Sequence, residues 1–223
     1  YVDATEATIT VELVGEVRGF NASYAILPQV SFANLNLPGA NFSHAQLKRS
    51  MFSSCILNEA NFKEAILEGA DFTEAKLETA TFEKAGLMGA LFTKAWLAEA
   101  KFNGAVLTDV NFSGAMLAAV DFKTIQGRNL AGVTFSTAFL VGAVFANVST
   151  SRSRGVRTDF SSACLAGADF SQASLADAIL SNAQLSSADG EIKVVNAAKG
   201  TSEVFAYEKT KMDANTTGAT TTC

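Results

Sequence analysis

Residues 60–104 read ANFKE AILEG ADFTE AKLET ATFEK AGLMG ALFTK AWLAE AKFNG, and this stretch decides the fold. An apolar residue recurs at every fifth position and alternates in kind: Phe62, Leu67, Phe72, Leu77, Phe82, Leu87, Phe92, Leu97, Phe102. The same register runs outward to Phe32 on one side and Phe122 on the other, without a slip. Two residues before each stands something small, alanine at every such position from Ala60 to Ala105, with Ser50 and Cys55 just upstream. A period of five fits neither a 3.6-residue helix nor a two-residue strand, either of which would scatter these residues over both faces. The repeat itself is therefore the fold signal, as in any array whose units cannot bury an apolar face alone.

Segments such as Ala60-Asn61-Phe62-Lys63-Glu64, Ala70-Asp71-Phe72-Thr73-Glu74 and Ala168-Asp169-Phe170-Ser171-Gln172 resemble the A(D/N)(L/F)xx unit of the pentapeptide-repeat family. The resemblance spans roughly residues 25–187. It implies an all-β chain, a right-handed quadrilateral β-helix in which four pentads make one square coil. The central residue and the one two before it would point inward. With four sides per coil, the alternation puts Phe on two opposite sides and Leu on the other two. Coils about 4.7–4.9 Å apart would then stack two Phe ladders and two Leu ladders, with alanine in the corners.

The rest of the chain divides around this array. Residues 1–24 include a β-branched, partly alternating run at 8–14 and read as an N-terminal cap over the first coil, whose edge would otherwise be exposed. The repeat covers 25–187 and breaks twice. From Phe122 the next central residue is Leu130, so 123–129 hold a corner lengthened by three residues. Phe145 and Phe160 lie fifteen apart, and keeping Phe with Phe requires two sides plus five extra residues, so 146–157 read as one irregular side and a bulging loop. By the side count both breaks are expected on the same edge. Residues 188–223 read as a short C-terminal cap, in which 204–207 could pack over the last coil, followed by a loose Thr-rich tail.

Composition narrows the function classes. A formal net charge of −5 on 223 residues argues against general nucleic-acid affinity, which needs a basic surface. No apolar run approaches the ~20 residues of a membrane span and no signal segment opens the chain. The first residue is Tyr1 rather than Met, so a processed mature chain is one reading; the resemblance permits a cyanobacterial or chloroplast setting, with thylakoid lumen, periplasm and cytoplasm all open. Three cysteines are too few for a disulfide framework: Cys55 takes an inward corner, Cys164 is expected to face outward, and Cys223 ends the chain. The one histidine, His44, is expected outward and solvated, leaving neither a triad nor a multi-histidine metal site. No motif for a cofactor is present, and a non-enzymatic role is expected.

Two features rise above a plain solvated surface. The residues just before Leu57, Leu97, Leu117 and Leu140 are Ile56, Trp96, Met116 and Phe139, on one side of the coil and pointing outward, the last three on consecutive coils. A contiguous apolar strip of this kind marks a docking surface for a protein partner. Positive charge gathers at the breaks as a basic edge: Lys123 and Arg128 at the first, Arg152, Arg154 and Arg157 at the second. The leading expectation is a non-catalytic interaction scaffold, a rigid rod with its partner and oligomeric state open. The alternative carried by the resemblance is a DNA mimic that binds gyrase. Mimicry needs a dense acidic stripe, with one charge per ~1.7 Å of duplex, and here Lys63, Lys76, Lys84, Lys94 and Lys101 interrupt the acidic residues.

Overall fold

The computed structural model describes residues 15–176 and 178–184. They wind into a right-handed quadrilateral β-helix. Each side contributes a single parallel bridge to the coil above and below, at a constant offset of twenty residues through the regular region: Ser31 with Met51, Ile56 with Lys76, Asn61 with Thr81, Ile66 with Gly86. In coil order the four faces are a first Phe face (Phe32, Phe52, Phe72), a first Leu face (Leu37, Leu57, Leu77), a second Phe face (Phe42, Phe62, Phe82) and a second Leu face (Leu47, Leu67, Leu87).

The backbone of one pentad explains the sequence motif. In residues 70–74, Ala70 N–H donates to the Leu67 carbonyl at 3.0 Å and closes the preceding corner; Asp71 N–H donates to Ser50 below at 3.0 Å. Phe72 and Glu74 donate to Leu91 and Thr93 above, at 2.7 and 2.9 Å. One donor is left, the Thr73 N–H, and the Asp71 carboxylate accepts it at 2.9 Å. Where an Asp or Asn precedes the central Phe, it is thus the acceptor for the one amide that the coil cannot pair, an Asx turn. Asn61, Asn111, Asp121, Asp159 and Asp169 do the same for the residue two ahead.

Each corner is a four-residue turn whose third residue is left-handed, as in a type II turn: Asn34 (φ 63°), Glu59 (φ 62°), Gly69 (φ 65°), Lys84 (φ 55°). Glycine would be the cheap choice at all of them, yet Glu, Lys and Thr are frequent. At these sites the ladder bond from the same residue to the next coil, as from Lys84 to Asn103 at 2.8 Å, offsets the local strain.

The core has no room to spare. Central Phe and Leu residues and corner alanines from Phe32 to Phe122 are buried. Rings within a ladder are parallel, Phe72 and Phe92 with centroids 4.8 Å apart and 4° between planes. The two ladders also meet across the interior edge to face, Phe62 and Phe72 at 5.3 Å and 85°. Both arrangements suit the ring quadrupole, so the interior is filled by two interlocked stacks. Where the corner residue is polar it finds a carbonyl of the coil below: Ser50 Oγ donates to Leu27 at 2.6 Å and Thr158 Oγ1 to Leu130 at 2.6 Å.

Coil pairing already holds at Glu16 with Asn36 and Asn21 with Asn41. Residues 16–24, assigned to the cap by sequence, therefore belong to the solenoid. Their repeat is hidden because Ala22 fills the central position and the ring comes from the corner, Phe20, which packs against Phe32 and Phe42 at 6.1 and 5.4 Å. The run at 8–14, the segment at 204–207 and the tail lie outside the described residues.

Pairing offsets locate the two irregularities. Asn111 pairs with Thr134 and Asp121 with Val144, an offset of twenty-three; Thr134 pairs with Asp159 and Ser149 with Ser174, an offset of twenty-five. The first insertion is a single 3-10 turn, Gln126–Arg128, leaving the corner between the second Phe and second Leu faces, with Ile125 buried beneath it. The second follows Thr150, which occupies a central position and donates to the Ala176 carbonyl at 2.8 Å. It folds as a hairpin in which Ser153 and Val156 exchange both backbone bonds across Arg154 (φ 48°) and Gly155 (φ 84°). Two consecutive left-handed residues make the type I′ turn that strand twist favours. This hairpin leaves the corner between the second Leu and first Phe faces. The insertions therefore sit on adjacent edges flanking one face, and the expectation of a shared edge is corrected. A side count gives the total of extra residues but not which of the two corners releases them.

Candidate functional site

The two Leu faces differ from the Phe faces on the outside as well as the inside. On the Phe faces the residue before the centre is mostly Asn, Asp, Ser or Thr, several of them serving the leftover amide. On the first Leu face that position reads Asn36, Ile56, Lys76, Trp96, Met116, Phe139, Cys164 and Gln184, joined by successive parallel bridges. From Ile56 to Phe139 none carries the Asx acceptor. Trp96, Met116 and Phe139 are 45, 40 and 45% exposed on three consecutive rungs.

Their surroundings extend the strip sideways. Residues just past each centre on this face are Ala98, Ala118, Val141 and Ala166, of which Val141 is 40% exposed beside Phe139. Sequence reading missed Val141 because it weighed only the position before the centre; the run Ala98, Ala118, Val141 was the available signal. At the other end the Lys76 ammonium lies 5.7 Å from the Trp96 ring centroid, a cation–π contact that separates Trp96 from Ile56. Ile56 is half-buried and stands apart from the contiguous patch. The second Leu face lacks Asx acceptors from Ile26 to Val106, Asn129 being the first to accept from the residue two ahead, but its exposed Ile26 and Ile66 are separated by Gln46 and followed by Gly86, so no strip forms there.

Cys164 lies on the outward rung its register requires and is nevertheless buried, 5% exposed, and disulfide-bonded. Cys55 is a free thiol in the core, pushed up to about 11 by burial; hydrogen bonds from the Leu35 and Asn34 backbone oppose the shift in part.

The five basic residues are divided between the two edges that flank the second Leu face. Lys123 is paired with Asp121 at 3.0 Å, and Arg128 closes the 3-10 turn. Arg157 donates to the Ala178 carbonyl at 3.3 Å, and Arg154 is exposed at the hairpin tip. The hairpin folds back along its edge, where a Cβ at Gly132 (φ 67°) would collide with the Asp109 and Ser153 side chains. The structure does not gather these cations into one cluster.

His44 is not simply solvated. It stacks on Tyr24 with centroids 4.6 Å apart and its Nδ1 lies 3.4 Å from Glu64, in a corner column that continues to Lys84. In this surface column Glu64 stands within reach of both His44 and Lys84. Elsewhere signs alternate from coil to coil, Glu68 with Lys48 at 2.8 Å and Glu74 with Lys94 at 3.9 Å. Among the described residues no group of three or more His, Cys, Asp or Glu could hold a metal ion, and no helix is long and apolar enough to cross a membrane.

Two family models match this architecture, a pentapeptide repeat region over residues 25–92 and pentapeptide repeats over 85–123 and 156–189. The chain belongs to the pentapeptide-repeat family. Solved pentapeptide-repeat structures are similar to it at low identity. HetL, involved in heterocyst differentiation regulation in the cyanobacterium Nostoc sp. strain PCC 7120, is 22% identical over 79% of this chain and 85% of that one, with a TM-score of 0.37. QnrB1, a plasmid-mediated fluoroquinolone resistance protein, is 20% identical over 83% and 86%, with a TM-score of 0.44. A pentapeptide-repeat protein of the Arabidopsis thaliana thylakoid lumen is 25% identical over 43% and 69%, with a TM-score of 0.24. Comparison with curated proteins finds no match. Membership of the pentapeptide-repeat family leaves the task of this member to its own surface.

Proposed function

We propose that this chain is a non-catalytic interaction scaffold, a rigid rod that docks a protein partner along its first Leu face. One observation carries the reading: Trp96, Met116 and Phe139 stand half-exposed on three consecutive backbone-paired rungs, with Val141 beside them. The solenoid does not need large apolar groups there, since the Phe faces fill most of the equivalent positions with Asn, Asp, Ser or Thr, and the apolar exceptions before a central Phe, Met51, Leu91 and Val144, do not fall on consecutive rungs of one face. Burial of such a ridge against a partner gains about 25 cal/mol per Å² of apolar surface, and Trp commonly dominates the binding energy of an interface. Mimicry of DNA is the weaker reading, because the lysines that alternate with Glu64, Glu68 and Glu74 neutralise the corner columns.

The test is affinity capture from the native source, followed by titration of the captured protein. Trp96→Ala should weaken binding by about 2 kcal/mol or more, with the unfolding midpoint unchanged. Lys101→Ala, on another face, serves as the control. Undiminished binding by the Trp96 variant, or a large loss of its stability, would overturn the docking reading and move attention to the basic edges.

A further inference from the structure

The first Leu face is complementary to itself. Each of its rungs shows two side chains outward, the residue before the central position and the residue after it. Where these are charged the signs are opposite, Glu16 with Arg18 and Lys76 with Glu78; in the apolar strip the sizes are unequal, Trp96 with Ala98 and Met116 with Ala118. The bordering corners follow suit: on the rung of Trp96, Lys94 stands exposed at one corner and Glu99 at the other. Lys76 contacts the Trp96 ring, and neither it nor Glu78 is in an ion pair among the described residues.

We propose that the partner this face docks is a second copy of the chain, in a parallel pair whose two-fold axis runs along the solenoids between them. Such an axis sets each rung against the same rung of the other copy and exchanges the two outward positions, so every contact is made twice. Glu16 then meets Arg18, Lys76 meets Glu78 and Lys94 meets Glu99 across the contact, and no rung from Glu16 to Phe139 opposes like charges. Trp96 and Met116 enter the space over Ala98 and Ala118, while Phe139 lies against Val141. Turning one copy end for end would instead lay ridge on ridge, Trp96 against Phe139, and leave alanine facing alanine across a gap that forfeits their contacts. Opposed charges at three rungs fix the register, and the uncharged outward pairs of the strip let Trp96, Met116 and Phe139 be buried together. Seven rungs about 4.8 Å apart make a face about 29 Å long and one side of the coil wide, which puts the pair at the small end of specific interfaces and makes it reversible. The inference rests on the docking reading of this face and adds the identity of the partner.

Sedimentation equilibrium of the full chain over a range of concentrations tests it. Wild type should show a reversible monomer–dimer equilibrium, and Lys101→Ala, on the second Phe face, should leave it unchanged. Trp96→Ala and Lys76→Glu should each raise the dissociation constant about tenfold or more, the latter because a carboxylate then opposes Glu78 in both halves of the contact. Adding Glu78→Lys to Lys76→Glu should bring it back to within about threefold of wild type, since position 76 meets position 78 only under this two-fold. A chain that stays monomeric, a dimer indifferent to Trp96→Ala, or a double variant no tighter than Lys76→Glu alone would overturn the proposal. If the chain is monomeric and Trp96→Ala still weakens its hold on a captured protein, the second copy is ruled out and the docking reading stands; if Trp96→Ala alters neither self-association nor capture, both fall.

Discussion

The rings of Phe82 and Phe102 lie parallel with centroids 5.2 Å apart, and Phe82 meets Phe92 edge-on at 5.4 Å and 90°. Each ring is thus held from three sides by other rings, since Phe62 stacks below Phe82 at 5.1 Å. A vacancy in such a stack has no flexible neighbour to collapse into it.

Phe82→Ala should therefore cost about 3–5 kcal/mol, while Glu83→Ala, one residue on and facing outward, should cost under about 0.5. Guanidinium unfolding midpoints of the two variants give the comparison. Equal midpoints would contradict the packing of the core.

Asp71→Ala removes the acceptor of the Thr73 amide while leaving the coil ladder in place. The expected loss is about 1 kcal/mol, and Asp71→Asn, which keeps an oxygen at the same position, should recover most of it. Amide hydrogen exchange at Thr73 should quicken in the Ala variant only. If Asn and Ala behave alike, the motif's carboxylate acts through charge instead.

Cys55 gives a pH signature. Its thiol is pushed from 9.0 to about 11 in the folded chain, so the unfolded chain releases this proton at a lower pH than the folded one. Stability linked to the group is whole below pH 9 and is lost as pH rises from 9 to 11, by about 2–3 kcal/mol in all. Cys55→Ala places the usual corner residue there. The difference in unfolding free energy between wild type and Cys55→Ala should be flat to pH 9 and then fall; a flat difference through pH 11 would show that the thiol ionises as readily folded as unfolded.

Among the described residues, limited trypsin digestion should nick first after Arg154. The residue sits at the tip of the hairpin insertion, exposed, and its turn is outside the coil ladder, whereas Lys63, Lys84 and Lys94 lie on paired corners. Early cleavage within residues 60–120 would show that the coils open more readily than the insertion.

The period of five and the alternation of Phe with Leu were enough to determine the solenoid, its four faces and which residues are inside, because each pentad occupies one side and a backbone-paired coil leaves no freedom of register. The same logic placed Trp96, Met116 and Phe139 on one outward column. Tertiary structure decided what the linear pattern does not encode. Phe20 entering the core from a corner position, the two insertions leaving adjacent edges, Val141 widening the strip, Lys76 cutting Ile56 off from Trp96, and Cys164 being buried on an outward rung all depend on how the coils stack and not on the period of five. Inward and outward are set locally by the turn; what an outward side chain meets is set by the coils above and below it.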